Sequence, residues 1–239
     1  MISGKIKKLW ARVWMHFSGL SNFGRIATRM AALFTPPYKS RCYLAACSPK
    51  GYIAPNATIH HGGLHLGESV FIGDRVVIYR ARDGGPVELA RGVHIHNDTI
   101  IETGESGSVE IGAHSSIQPR CQFSGYKAPI RIGCNVQIAP NCAFYSYNHG
   151  FRSDKSVQKQ PLQTKGGIVI DDDVWIGVGV IVLDGVKIGK GAIIGAGAVV
   201  THNIPDGAMA VGIPARVVKF RGGTGNDELM EYRHRGMIS

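Results

Sequence analysis

The side chains of this chain best suited to proton transfer, nucleophilic attack or metal binding are ten histidines and five cysteines. The cysteines, Cys42, Cys47, Cys121, Cys134 and Cys142, form no CxxC pair and no even framework. That is the pattern of reduced thiols in a cytoplasmic-type compartment, and no secretion signal is seen. No P-loop is present either. His149 stands apart from the other histidines. It sits in Tyr145-Ser146-Tyr147-Asn148-His149-Gly150-Phe151, at the start of a long stretch without regular apolar spacing. A neutral imidazole, with an ordinary pKa of about 6.5, can take the proton of a hydroxyl or amine as that group attacks. A backbone carbonyl, Tyr147 or Asp154 could each accept its second N–H. Trp175 is the other candidate, because it follows Asp171-Asp172-Asp173 and precedes an aliphatic position, which makes it an outward-facing tryptophan.

The elements that must position these residues form a repeat. Aliphatic residues return every sixth position at Ile170, Ile176, Val182, Ile188, Ile194 and Val200, with Gly177, Gly189 and Gly195 just after anchors. A helix needs returns at three and four and a simple strand at two, so short strands joined by corners and wound into a stack are expected. The 32 glycines suit a chain of many corners. Earlier anchors group as Ile53 and Ile59, then Leu66, Ile72 and Ile78, then Leu89, Ile95 and Ile101. Ile111, Ile117 and Phe123 follow, then Ile132, Ile138 and Phe144. Steps within a triplet are six, and longer steps fall only between triplets. Insertions at every third corner emerge along one edge of a three-faced prism. The expectation is a triangular coil of about eighteen residues and about seven coils, ~30 Å tall at the ~4.8 Å strand spacing. The largest insertion, 145–169, leaves by that same edge, and long loops in compact domains are usually functional.

Residues 1–50 differ in composition. They hold nine Lys or Arg and no Asp or Glu, so this fifth of the chain carries nearly all of the +10 net charge. Ile6, Leu9, Trp10, Val13, Trp14, Phe17 and Leu20 recur at three and four over Lys5–Leu20, which predicts an amphipathic helix. A second is expected from Asn22 to Phe34, stopped by Pro36 and Pro37. Neither reaches the roughly 18 uncharged residues of a bilayer span. The arm is either a helical cap on the first coil or a membrane-surface anchor, since basic residues beside Trp and Phe suit anionic lipid. Its continuous apolar stripe argues against a nucleic-acid arm. Division into a basic helical arm (1–50), a repeat domain (51–219) and a C-terminal tail (220–239) follows.

The hexads resemble those of left-handed parallel β-helix acyltransferases. This hexapeptide-repeat group includes galactoside, maltose and nodulation-factor O-acetyltransferases and the xenobiotic acetyltransferases. The similarity is strongest in Asp173-Val174-Trp175-Ile176-Gly177, in Ile194-Gly195-Ala196-Gly197-Ala198-Val199-Val200-Thr201, and in Gly212-Ile213-Pro214-Ala215-Arg216-Val217-Val218. Left-handedness comes from the resemblance alone, against the general rule for parallel crossovers.

The resemblance implies a coenzyme A-dependent O-acetyltransferase acting on a sugar of a surface polysaccharide or glycolipid. Acetyl-CoA is the donor and no metal is required. His149 is then the general base, with Asn148 and Tyr147 beside it. Trp175 lines the acyl and acceptor pocket, and the backbone amide of Val178 stabilises the thioester oxygen. Gly177, Gly195 and Ala196 form a low surface for pantetheine, while Thr201, His202 and Arg216 surround the adenine and 3′-phosphate. His202 stands where many relatives have Lys. On the acceptor side, Gln118 and Arg120 are candidates, although the polar pair expected there is not reproduced. Relatives place histidine and coenzyme groove on opposite walls of an intersubunit cleft, so a homotrimer is expected. The expected location is cytoplasmic, and the composition of the basic arm rather than the resemblance suggests contact of residues 1–34 with the inner face of an anionic membrane. N-transfer to an amino sugar uses the same base. Two distant alternatives are a γ-class carbonic anhydrase-like metal protein, from the spacing of His60 and His65, and a non-catalytic scaffold.

Overall fold

A computed structural model describes residues 3–222, so the expected tail lies outside the described residues from 223 onward. The repeat folds as three parallel sheets. The first has nine strands, the second seven and the third six. Anchors one coil apart stack in register, as in Ile117 on Ile138 and Ile138 on Ile176. The chain visits the three sheets in turn, which gives seven triangular coils filled by the anchors. Phe123 and Phe144 stack inside it with ring centroids 4.6 Å apart. Every long insertion lies between a strand of the second sheet and one of the third, on one edge of the prism. At the far end Arg216–Phe220 pairs antiparallel with Ala208–Val211 and closes the first sheet.

The glycines after the anchors are not the left-handed residues of the corners. From the second coil on, positive φ falls three positions after the first-sheet anchors Ile72 to Ile194, at Arg75, Asp98, Arg120, Asn141, Gly179 and Gly197, with values of 56–70°. Gly177 serves close approach instead: a Cβ there would lie 2.6 Å from the Ala196 amide nitrogen of the next coil.

The arm folds as two helices, α1 (Gly4–His16) and α2 (Asn22–Ala32), followed by the short α3 (Cys42–Ala45). Ser21 caps α2 by accepting the Gly24 N–H at 3.0 Å. Ala11, Met15, Ala31, Leu44 and Ala45 join the same core as Tyr52 and Phe71 of the first coils. Arg25 donates to the Pro55 and Ala57 carbonyls at 3.1 and 3.3 Å. The arm therefore caps the first coil. The expected stripe divides: Trp10 and Trp14 turn inward, Trp10 donating to the Met30 carbonyl at 2.6 Å, whereas Ile6, Leu9, Val13, Phe17 and Leu20 are exposed. Small side chains face the coil because they allow close helix approach.

Candidate active site

The insertion that carries His149 is a built element. Asn148–His149 pairs antiparallel with Leu162–Gln163, making a hairpin of its own. At its foot the fully buried Ser146 accepts the Tyr126 N–H at 3.0 Å and donates to the Ser124 or Tyr126 carbonyl. At its tip Gln160 accepts the Arg152 N–H at 2.9 Å and donates to the Arg152 and Lys155 carbonyls.

The largest anchor is Asp184, on the equivalent corner of the next coil and only 5% exposed. Its Oδ1 accepts from Thr164 Oγ1 and Gly167 N–H at 3.0 and 2.9 Å. Its Oδ2 accepts from the Lys165 N–H at 2.6 Å and from Asn148 Nδ2 at 3.4 Å. One carboxylate thus holds both legs of the hairpin. Buried charges persist where they are so surrounded by donors. Asn148, expected in the acceptor pocket, directs its amide to this carboxylate.

His149 is exposed on the hairpin. Its ring meets that of Tyr147 edge-on, 6.1 Å between centroids, and Tyr147 meets Tyr126 and Tyr145 in turn. Burial foremost, then Glu102, pushes the Tyr126 phenol up; burial, then Tyr147 and Glu102, does the same at Tyr145. Both stay neutral donors at physiological pH. Of the three groups considered for orienting the imidazole, Tyr147 touches it through the ring, and Asp154 is engaged by Arg152 through two bonds of 3.1 Å.

Most of the remaining candidates gather on another edge, whereas Thr201 and His202 follow the second-sheet strand Val199–Val200 and lie on the same edge as His149, farther along the stack. Gly177, Val178 and Gly179 turn the chain from the first sheet to the second, directly against Gly195, Ala196 and Gly197, with the Gly197 N–H donating to the Val178 carbonyl at 2.8 Å. The Val178 amide has no partner among the described residues. Cys142 Sγ donates to the Gly177 carbonyl at 3.1 Å from beneath. Trp175 is 55% exposed on the first sheet, in register with Gln137 and Ile193.

Thr201 and His202 share a hydrogen bond of 2.8 Å. Arg216 folds back on the Ala215 carbonyl at 3.0 Å, while the Ala215 N–H donates to Val199. Gln118 donates to Ser116 Oγ at 3.1 Å and Arg120 to Asn141 Oδ1 at 2.8 Å, both at a corner between the first and second sheets. Within one chain, His149 is therefore on one edge and Trp175, Val178, Gln118 and Arg120 are on or beside another. His60 and His65 lie on strands of the second and third sheets, and the His60 ring stacks on Tyr79 with centroids 5.8 Å apart.

Residues 167–202 match the family model described as bacterial transferase hexapeptide (six repeats). Those residues carry hexapeptide repeats. Among solved structures, the hexapeptide-repeat chain is similar to the polySia-specific acetyltransferase NeuO. The TM-score is 0.58 at 22% identity, over 73% of this chain and 83% of that one. It is also similar to a variant of AntD, an N-acyltransferase from Bacillus cereus in complex with dTDP and coenzyme A. There the TM-score is 0.50 at 21% identity, over 77% and 86% of the two chains. These likenesses show the fold, a left-handed parallel β-helix. A 2,3,4,5-tetrahydropyridine-2,6-dicarboxylate N-acetyltransferase of Staphylococcus aureus is 52% identical over 52 residues, 22% of each chain. The hexapeptide-repeat chain spans no more than a quarter of the curated relatives it matches.

Proposed function

We propose that this chain moves an acetyl group from acetyl-CoA to a hydroxyl of a sugar, in the assembly of a surface polysaccharide or glycolipid. The observation that carries the reading is the exposed imidazole of His149, held on a hairpin whose two legs end on one buried carboxylate. A base on a rigid support suits direct attack. His149 takes the hydroxyl proton as the acceptor oxygen bonds to the thioester carbon. The C–S bond then breaks, and the imidazolium returns its proton to the leaving coenzyme A thiolate. The Val178 amide, without a partner among the described residues, would stabilise the developing oxyanion, and Gly177, Gly195 and Ala196 would offer the narrow surface for pantetheine. Thr201, His202 and Arg216 would meet the nucleotide. Amine acceptors are the second reading, favoured by the N-acyl activity named for AntD and for the Staphylococcus aureus relative.

A homotrimer is part of the proposal. The second sheet separates the Val178 corner from the His149 edge, on the order of 15–20 Å along an extended face. A base must stand within about 3 Å of its proton, so a neighbouring copy has to bring the second wall. The exposed apolar face of the cap, beside Lys5, Lys8 and Arg12, would hold the assembly at an anionic membrane surface, near lipid-linked acceptors.

The test follows thiol release from acetyl-CoA with nucleotide sugars, amino sugars, lipid-linked glycans and free oligosaccharides. Hydroxyl acceptors should turn over, and His149→Ala should lower kcat by about 10²–10⁴-fold with coenzyme affinity unchanged. Mixed His149→Ala and Arg216→Ala chains should regain part of the activity. Near-normal turnover by His149→Ala would overturn the assignment, and failure of the mixed chains would remove the intersubunit site.

A further inference from the structure

We propose that Cys42, His94 and His96 bind a divalent transition-metal ion of the zinc type, which fastens the helical cap to the third coil. This does not rest on the acyl-transfer reading. The three residues come from distant parts of the chain: Cys42 opens α3, His94 lies on a first-sheet strand beside Phe71 and Ser116, and His96 begins the following corner. One ligand atom from each lies within 4.8 Å of the other two. Tetrahedral zinc, with bonds of about 2.3 Å to sulfur and 2.0–2.1 Å to nitrogen, needs ligand atoms about 3.3–3.7 Å apart. Closing that gap takes about 1 Å of side-chain rotation.

Independent of the spacing, polar atoms are left without partners here. Among the described residues, three buried side-chain atoms have no hydrogen-bond partner: Arg41 Nε, Tyr52 Oη and His96 Nδ1. Tyr52 and Arg41 face each other, and the rings running from Tyr52 to His96 cross the first three coils beneath the cap. Arg41 adjoins Cys42. Tyr52 stacks on Phe71 at 5.3 Å, and that same Phe71 ring meets His94 and His96 at 5.7 and 5.5 Å. His96 is 3% exposed. A buried imidazole with an idle nitrogen costs stability unless something occupies it.

The donor set selects the ion. One thiolate with two imidazoles suits zinc and its neighbours, whereas magnesium and calcium require oxygen. Cys42 and His94 also line an open groove of about 660 Å³ with Ser116, His114 and Gln137, which gives an ion a way in and leaves its fourth position to water. The nearby Arg41 charge is met by Asp74 at 3.5 Å.

The test uses the full chain, loaded with zinc and dialysed, with metal content by mass spectrometry and thiolate-to-cobalt charge-transfer absorption after Co²⁺ loading. About one equivalent of zinc and a cobalt–thiolate band are expected. Cys42→Ser should abolish the band, and His94→Gln should weaken binding by at least about tenfold. A chelator should lower the melting temperature of the parent protein and leave both variants where they are. Absence of bound zinc and of the cobalt band in the parent overturns the proposal even if the variants do not fold. Zinc retained equally by folded variants overturns it as well.

Discussion

At the scale of single residues, the proposed chemistry depends on two side chains of different kinds. His149 is exposed and carries no hydrogen-bond partner among the described residues, while Asp184 is buried and accepts four. Asp184 does not reach the reacting atoms; it positions the hairpin. Removing it leaves the Lys165 and Gly167 amides without an acceptor, at about 1–3 kcal/mol for each buried group left unpaired. Asp184→Ala is therefore expected to lower kcat far more than the affinity for acetyl-CoA, because the pantetheine surface of Gly177, Gly195 and Ala196 is on another edge and only Thr201 and His202 share the edge of Asp184. Asp184→Asn, which keeps one acceptor, should recover part of the loss. Equal losses in coenzyme affinity and kcat would show a general collapse instead.

At the scale of elements, the corners carry two distinct demands. The position three after an anchor needs a left-handed conformation, which Arg120, Asn141 and Gly179 all supply. At Gly177, Gly189 and Gly195 the position just after the anchor has no room for a Cβ, whereas His96 and Gln118 occupy the same position on earlier coils. At Gly177 the three nearest atoms to an added Cβ are backbone of the next coil, at 2.6 to 3.0 Å. Gly177→Ala must separate two coils and should cost about 1–3 kcal/mol in urea unfolding, as overpacking does. Gly179→Asn meets nothing within 4 Å and keeps a side chain that tolerates positive φ, so it should be nearly neutral. If both substitutions cost the same, the distinction fails.

At the scale of the whole molecule, the cap has two faces with separate work. One closes the first coil through Met15, Ala31 and Leu44. The other presents Leu9 at 64% and Phe17 at 48% exposure, joined to α2 where Phe17 meets Phe23 at 6.3 Å. No helix among the described residues is long and apolar enough to cross a membrane. Deleting residues 1–34 would strip the core end, so point substitution is the cleaner probe. Leu9→Asp with Phe17→Asp should abolish cosedimentation with anionic vesicles at low salt and leave the melting temperature unchanged, since each basic residue adds only about 1 kcal/mol at such a surface. A parent protein that ignores anionic vesicles at low salt would end the membrane reading.

The hexad period was enough to read the prism, its seven coils and the single edge of insertions, because each anchor's burial is set by its neighbours one coil away and repeats along the chain. The period also marked the insertion in which His149 lies. It did not reveal the hairpin inside that insertion, since Asn148–His149 and Leu162–Gln163 are too short to show a pattern. Asp184 was hidden for another reason: in sequence it is one more polar corner residue, and only stacking brings it against a loop from the coil before. The same holds for Cys42 beside His94 and His96. Composition and apolar spacing foretold two helices, but whether they cap a coil or lie free was decided by tertiary packing, which put Ala11 and Met15 inward and left Ile6 and Leu9 outside. Repeating local contacts are written in sequence order; contacts between an insertion or arm and the stack are not, because they join residues that only the folded coil makes neighbours.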